Sequence, residues 1–202
     1  NSNQYLNPEG TQTFSSPTFK FVTPVETTNR TGKADLEKTM GKSRQSLLKA
    51  GLKYSNSIID NTFNVYNNSE TNEVLDSTRS NNFVYNEKIA GAYAEWNSSF
   101  KKLTYQAGLR YEYTNVNNTL SAYTNLQNGI TKQFDYSGLF PNANIGYQFS
   151  PNHIVNLSYR RSIQRPIYQH LNPFVQRNSA VSIASGNPNL KPAYAHNLGL
   201  SY

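Results

Sequence analysis

Strict alternation of apolar and polar side chains is the feature that most constrains the fold of this chain. On both sides of the triplet Ser150, Pro151 and Asn152, every second residue is apolar, with polar residues or glycine between. The apolar series is Ala143, Ile145, Tyr147 and Phe149 before the triplet, and Val155, Leu157 and Tyr159 after it. Because successive strand side chains point to opposite faces, this period of two predicts two strands with one apolar face each. The triplet carries turn residues, including a proline that cannot donate to a ladder, so it predicts an antiparallel hairpin.

The same alternation runs without interruption from Leu103 to Thr114. Its apolar members are Leu103, Tyr105, Ala107, Leu109, Tyr111 and Tyr113, and its polar members are Thr104, Gln106, Gly108, Arg110, Glu112 and Thr114. Shorter alternating runs occupy residues 48–55 and 194–202. The sequence therefore predicts an all-β, antiparallel fold with about seven or eight strands joined by polar turns.

Alternation is unevenly distributed along the chain. Residues 1–46 are polar and, apart from a short predicted strand at Thr18 to Val22, we expect a loop and connector there. Residues 47–202 are predicted to hold the main strands, with long loops at 67–82, 115–133 and 164–193.

One predicted strand changes the side on which its apolar residues lie. Leu48 and Leu52 occupy even positions, whereas Ile59 and Phe63 occupy odd ones. Since a slip of one residue exchanges the two faces of a strand, we expect a turn or bulge near residues 55–60.

Strand length and loop length favour a membrane barrel over a soluble sheet. The predicted strands reach about 10 residues, which suits a tilted membrane strand of about 9–11 better than a soluble strand of about 5–6. Connections alternate between tight turns at 97–101 and 150–153 and the three long loops, as in outer-membrane barrels. Tyr and Trp near strand ends fit an aromatic girdle. No apolar run is long enough for a membrane helix. The sequence therefore predicts a transmembrane β-barrel segment.

A barrel assigns the two series of side chains to two environments, lipid and a wet lumen. The predicted lipid-facing residues are Leu103, Tyr105, Leu109, Tyr111, Ile145, Tyr147, Val155, Leu157 and Tyr159. The predicted lumen-facing residues are Gln106, Arg110, Glu112, Asn144, Gln148, Asn156 and Arg160. Two alternatives stay open. One is a soluble β-sandwich that binds a glycan or a protein, and the other is a porin or adhesin barrel without a plug.

Composition and charge argue against several other functions. The net charge of +7 comes from scattered Lys and Arg, so we interpret it as a solvated surface and predict no nucleic-acid partner. The absence of Cys excludes a disulfide framework and a thiolate metal site. His153, His170 and His196 lack metal-ligand spacing, and Glu112 has no second acid beside it for glycosidase chemistry. We expect no catalytic residue, no cofactor and no metal site, and hence no enzyme.

Three motifs follow one another in the last quarter of the chain. They are Arg161-Ser162-Ile163-Gln164-Arg165-Pro166, Leu171-Asn172-Pro173-Phe174 and Gly186-Asn187-Pro188-Asn189-Leu190-Lys191-Pro192. With Gly108-Leu109-Arg110-Tyr111-Glu112 and Leu139-Phe140-Pro141-Asn142, their order and spacing resemble the β-barrel region of TonB-dependent outer-membrane receptors. The resemblance extends over about residues 47–202.

This resemblance implies a location and a function. It implies a bacterial outer-membrane barrel of about 22 strands, filled by a plug and energised by the TonB system, that takes up a scarce solute such as a siderophore or glycan. We expect the chain to be an internal piece of that barrel, in contact with lipid and meeting TonB only through parts outside it. The motif positions with an expected structural, loop or ligand role are Arg165, Pro166, Leu171, Asn172, Pro173, Phe174, Gly186, Asn187, Pro188, Leu190, Lys191 and Pro192.

Overall fold

The computed structural model describes residues 4–6, 13–15, 18–41, 46–68, 72–123, 129–177 and 182–202, and they form an all-β protein. The strands are β1 (Gln4–Leu6), β2 (Thr13–Ser15), β3 (Thr18–Val22), β4 (Val25–Met40), β5 (Ser46–Asn68), β6 (Glu73–Leu75), β7 (Asn81–Phe100), β8 (Leu103–Ala122), β9 (Ile130–Ser150), β10 (His153–Gln164), β11 (Gln176–Arg177), β12 (Ile183–Ala184) and β13 (Ala193–Ser201). A single helical turn, α1 (Tyr168–Leu171), lies in the loop after β10. Across these ranges, no helix is long and apolar enough to cross a membrane.

Nine of the strands form one antiparallel sheet. Its order is β13-β10-β9-β8-β7-β5-β3, with β4 and β6 also paired to β5. The long strands therefore follow one another in space as they do in the chain, which is the up-and-down arrangement that short hairpin turns produce. The predicted all-β, antiparallel fold is confirmed. The sheet is open in the part of the chain that the structure describes, with β13 at one side and β3 and β4 at the other.

The strand register separates the two series of side chains onto two faces. Tyr105 pairs with Ile145 and Ile145 with Leu157, so the apolar series of β8, β9 and β10 share one face, here called the Leu109 face. Gln106 pairs with Asn144, which places the polar series on the opposite face, here called the Arg110 face. All nine predicted lipid-facing residues and all seven predicted lumen-facing residues lie on their respective common faces.

The strands extend well beyond the predicted ladder. The loop expected at 115–133 is largely strand, because β8 continues to Ala122 and β9 begins at Ile130. In this extension the apolar side chains lie on the Arg110 face, where Val116, Leu120 and Ala122 are buried. The apolar residues thus exchange faces at about Thr114, which is why the sequence there reads as a polar loop.

The bulge expected in residues 55–60 is wrong, and the same exchange of apolar residues between the two faces accounts for the pattern. The pairing of β5 with β7 is continuous from Ser46 to Phe63, so there is no irregularity at this place. Ile59 and Phe63 lie on the Arg110 face, whereas Leu52 lies on the Leu109 face. The strand is regular, and its surroundings change along its length.

The polar connector expected within residues 1–46 is also wrong for most of its length. β4 spans Val25–Met40 and pairs with β5 along its whole length, and β1 and β2 form a separate small pair. The charged residues concealed this strand, because Lys33, Asp35 and Glu37 alternate with Ala34 and Leu36 and fall on the Arg110 face. Residues 42–45, the end of the expected connector, lie outside the described residues.

Short connections lie at one end of the sheet. Lys101 and Lys102 join β7 to β8, and Pro151 and Asn152 join β9 to β10, the latter as predicted. The turn expected at 97–101 begins later than predicted, because β7 continues to Phe100. Lys101 adopts a φ of 54°, the left-handed conformation that a tight hairpin turn requires. At the other end of the sheet, the longest connection runs from Arg165 to Pro192 and includes α1, β11 and β12.

Candidate functional site

The loop after β10 lies against the Arg110 face at its far end. Leu171 and Phe174 in this loop are 1% and 2% exposed, and they complete an apolar cluster with Phe83, Val116 and Leu120 of β7 and β8. Burying two such side chains stabilises by roughly 3–6 kcal/mol in transfer free energy. This contact explains why apolar residues of the extended strands occupy the Arg110 face. It also fastens the loop to the sheet.

Arg165 anchors the start of this loop to three adjacent strands. Its Nη2 donates to Glu112 Oε2 at 2.8 Å and its Nε donates to the Tyr136 hydroxyl at 3.1 Å, while Glu87 Oε1 lies 3.4 Å from the same Nε. Burial alone would lower the pKa of Arg165. The hydrogen bond to Glu112 and the negative charge of Glu87 outweigh that effect, so the pKa is raised above its ordinary value. The guanidinium is therefore a permanent cation held between two acids.

The second and third motifs bind each other through the backbone. The amide of Gly186 donates to the Asn172 carbonyl at 2.8 Å, and the amide of Asn187 donates to the His170 carbonyl at 2.7 Å. A Cβ at position 186 would lie 2.6 Å from both carbonyl oxygens, so only glycine fits. The Asn172 side chain accepts from the Phe174 amide and donates to Asn81 Oδ1 at 3.3 Å. These contacts fold the segment from Arg165 to Pro192, here called the motif loop, onto the sheet.

The remaining motif residues approach β9. Pro188, Leu190, Lys191 and Pro192 line a cavity of about 420 Å³ together with Phe134, Tyr136 and Tyr194. Pro166 lies directly after Arg165, where its fixed φ helps to turn the chain out of β10. Thus Arg165, Leu171, Asn172, Phe174, Gly186 and Asn187 have structural contacts in the described chain. A role of any motif residue in ligand binding stays a prediction.

A larger cavity of about 1020 Å³ lies on the Arg110 face between the motif loop and the short turns. Its lining includes the predicted residues Gln106, Arg110, Glu112, Asn144 and Arg160. Gln148 and Asn156 share this face but lie closer to the turn at Pro151 and Asn152. The predicted polar series is thereby brought together from three strands into one concave surface.

Two aromatic rings that alternation did not assign to this face lie against arginines of the cavity lining. The guanidinium of Arg110 lies 5.1 Å from the ring centroid of Phe140, and that of Arg161 lies 4.7 Å from the ring centroid of Tyr194. Phe140 and Tyr194 stack with their centroids 6.3 Å apart. Phe140 is 3% exposed although it occupies the polar series of its strand, so alternation alone gave no signal for it.

A second group of charges from β4, β5 and β7 lies on the same face. Lys33 Nζ lies 2.6 Å from Asp35 Oδ2, and the Tyr93 hydroxyl donates to the same carboxylate. Lys49 and Glu37 form a further pair at 3.0 Å. The alternation of Lys33, Asp35 and Glu37 is the sequence signal that could have identified this group.

The described residues include no group of three or more His, Asp or Glu side chains placed to hold a metal ion. The Arg110 face offers charge-assisted hydrogen bonds from arginine and lysine, amide hydrogen bonds and aromatic contacts. The arrangement is suited to binding a polar solute.

Comparisons with known proteins agree with this architecture. The sequence profile of the outer membrane protein beta-barrel family matches residues 1–202. No curated protein matches the chain in sequence.

Two solved structures have a similar fold. The ferric yersiniabactin uptake receptor FyuA from Yersinia pestis aligns with a TM-score of 0.61 at 13% identity, over 93% of this chain and 27% of that receptor. The ferric citrate transporter FecA, in its unliganded form, aligns with a TM-score of 0.52 at 14% identity, over 72% of this chain and 22% of that transporter. At such identities the similarity shows the fold, and the chain spans about a quarter of the length of each protein.

Proposed function

Because the chain belongs to the outer membrane protein β-barrel family, we propose that it forms part of the wall of a TonB-dependent transporter that takes up a scarce solute. In this proposal the Leu109 face contacts lipid and the Arg110 face lines the lumen. The role needs binding and passage of a solute and no covalent chemistry. The similarity in fold to an uptake receptor and a transporter for ferric ligands supports it.

The observation that carries the proposal is the division of the sheet into two faces. Leu52, Leu109, Ile145 and Leu157 are between 47% and 63% exposed on one face, and a charged cavity lies on the other. From Leu103 to Tyr113 the apolar series extends over roughly 33 Å, or about 25 Å in height for strands tilted by about 40°. Outer-membrane barrels present an apolar band of about this height.

The motif loop and the strand extensions fit the same orientation. Outer-membrane barrels have short turns on the periplasmic side and long loops on the extracellular side. The turns at Lys101 and Pro151 would then face the periplasm, and the loop from Arg165 to Pro192 would face the exterior. Above the apolar band, the Leu109 face carries the polar residues Lys88, Asn115 and Asn117, which suits a part of the wall outside the membrane. A solute entering from outside would pass the motif loop before it reaches the cavity.

This function can be tested without knowing the solute, by measuring which solutes the cells remove from a defined medium. A strain that lacks the full-length protein is compared with the same strain carrying it on a plasmid, and solutes that remain in the medium are measured by mass spectrometry. We expect at least one solute to be removed only when the protein is present, and a protonophore to stop its removal. Equal depletion by the two strains contradicts the proposal. Depletion that persists with the protonophore indicates a passive porin instead.

A further inference from the structure

The cavity on the Arg110 face carries an excess of positive charge. Its lining contains six cationic residues, Lys33, Lys53, Arg110, Arg160, Arg161 and Arg165, and two acidic residues, Glu95 and Glu112. Asp35 and Glu87 lie next to this lining, where they pair with Lys33 and Arg165. With these two acids included, six cations face four acids, and the local charge is still positive.

The excess resides in particular side chains. Arg165 is neutralised by Glu112 and Glu87, and Lys33 is neutralised by Asp35.

Among the described residues, neither Arg160 nor Lys53 forms an ion pair. The cross-strand neighbours of Arg160 are Asn142 and Asn197, which carry no charge. Arg160 is therefore a cation of the cavity lining that no acid among the described residues pairs.

Two more arginines of the cavity lining are held against aromatic rings. Arg110 stacks on Phe140, and Arg161 lies over both Phe140 and Tyr194 at 6.0 and 4.7 Å. Gly138 makes room for this arrangement, because a Cβ there would lie 2.9 Å from the Phe140 ring. A guanidinium stacked on an aromatic ring keeps its N–H donors free along its edge. Because the side chain is already ordered in the unliganded protein, binding a ligand costs less conformational entropy.

We infer that this cavity binds an anionic solute carrying two or more carboxylate or phosphate groups. The inference rests on the proposed function and names the class of its substrate. Arginine recognises carboxylate and phosphate through paired hydrogen bonds, and a positively charged concave wall of low dielectric concentrates anions from solution. Arg160 provides the unpaired charge, and Arg110 and Arg161 of the same lining provide donors held against aromatic rings.

Direct binding of citrate to the purified full-length protein tests the inference. Citrate is a small molecule with three carboxylates, and its triethyl ester has a similar shape without the charges. Calorimetry in detergent is expected to detect citrate binding that weakens as salt is raised, and weaker or no binding of the ester. Arg160→Glu and Arg160→Gln are expected to weaken citrate binding by about tenfold or more, as loss of a charged hydrogen bond does.

Lys88→Glu is the matched control, since it makes the same change in charge on the opposite face, where Lys88 pairs with Asn56 and Asn115. We expect it to leave citrate binding unchanged. Heat-modifiable gel mobility shows that each variant still forms the barrel. The inference is overturned if citrate binds no tighter than its ester, or if the Arg160 variants and Lys88→Glu have equal effects. Because calorimetry needs neither TonB nor a proton gradient, a failure of uptake would leave this result intact.

Discussion

Arg165 and Glu112, separated by 53 positions in the chain, form a charge-assisted hydrogen bond of 2.8 Å between the motif loop and the middle of β8. The same carboxylate lies 3.2 Å from Arg110, so one acid connects the loop anchor to the cavity wall. Both side chains of the Arg165–Glu112 pair are less than a quarter exposed, which limits screening by water. The position of the loop and the charge of the cavity are thus physically coupled.

Replacing Arg165 by alanine is expected to release the motif loop. Glu112 and Glu87 would lose their shared cation, and the cost should fall between the about 1 kcal/mol of an exposed pair and the about 3–5 kcal/mol of a buried one. Limited proteolysis of the full-length protein should show faster cleavage within residues 165–192. Arg165→Lys keeps the charge and should show an intermediate rate. Cleavage of Arg165→Ala at the wild-type rate would contradict the anchoring role.

Gly186→Ala is expected to disrupt the same loop by a different mechanism. The new Cβ would lie 2.6 Å from the carbonyl oxygens of His170 and Asn172, so the backbone must shift, at a cost of about 1–3 kcal/mol. Gly32→Ala is the control, because an added Cβ there meets no atom within 4 Å. Proteolysis and urea unfolding of the full-length protein in lipid vesicles measure the effect. Equal stability of the two variants would rule out the close packing at Gly186.

Phe174→Ala tests the apolar contact between the loop and the sheet. Phe174 is 2% exposed in the cluster with Phe83 and Leu120, and its truncation should cost about 3–5 kcal/mol. Ile183, in β12 of the same loop, is 68% exposed, and its truncation should cost less than about 1 kcal/mol. Urea unfolding in vesicles compares the two. A similar, small loss in both would show that the cluster does not hold the loop.

Adjacent positions on β8 test the assignment of the two faces. A charge on the lipid face costs about 2–4 kcal/mol at the bilayer midplane, so Leu109→Arg is expected to impair assembly. Arg110→Leu should be tolerated far better, because Glu112 retains its hydrogen bond from Arg165. Heat-modifiable mobility of the full-length protein reports assembly. If the two variants assemble equally well, the proposed facing is wrong.

Alternation alone was sufficient for the fold class and for the two faces of the central sheet. The period of two is a local property of a strand, so Leu103 to Thr114 could be divided correctly into a Leu109 face and an Arg110 face. Turn chemistry likewise located the hairpin at Pro151 and Asn152. The motifs near Arg165 and Gly186 could be recognised as loop elements, although their partners could not.

Tertiary structure decided which face of the sheet is apolar at each position along the strands. At Val116 and Ile59 the strands continue unbroken, but the apolar side chains lie on the other face, because Leu171 and Phe174 cover them there. A sequence pattern cannot reveal this exchange, since the covering residues are distant in the chain. For the same reason only the folded chain shows that Arg165 joins the acids of β7 and β8. Local geometry determines how a strand alternates, and long-range contacts determine what each of its faces meets.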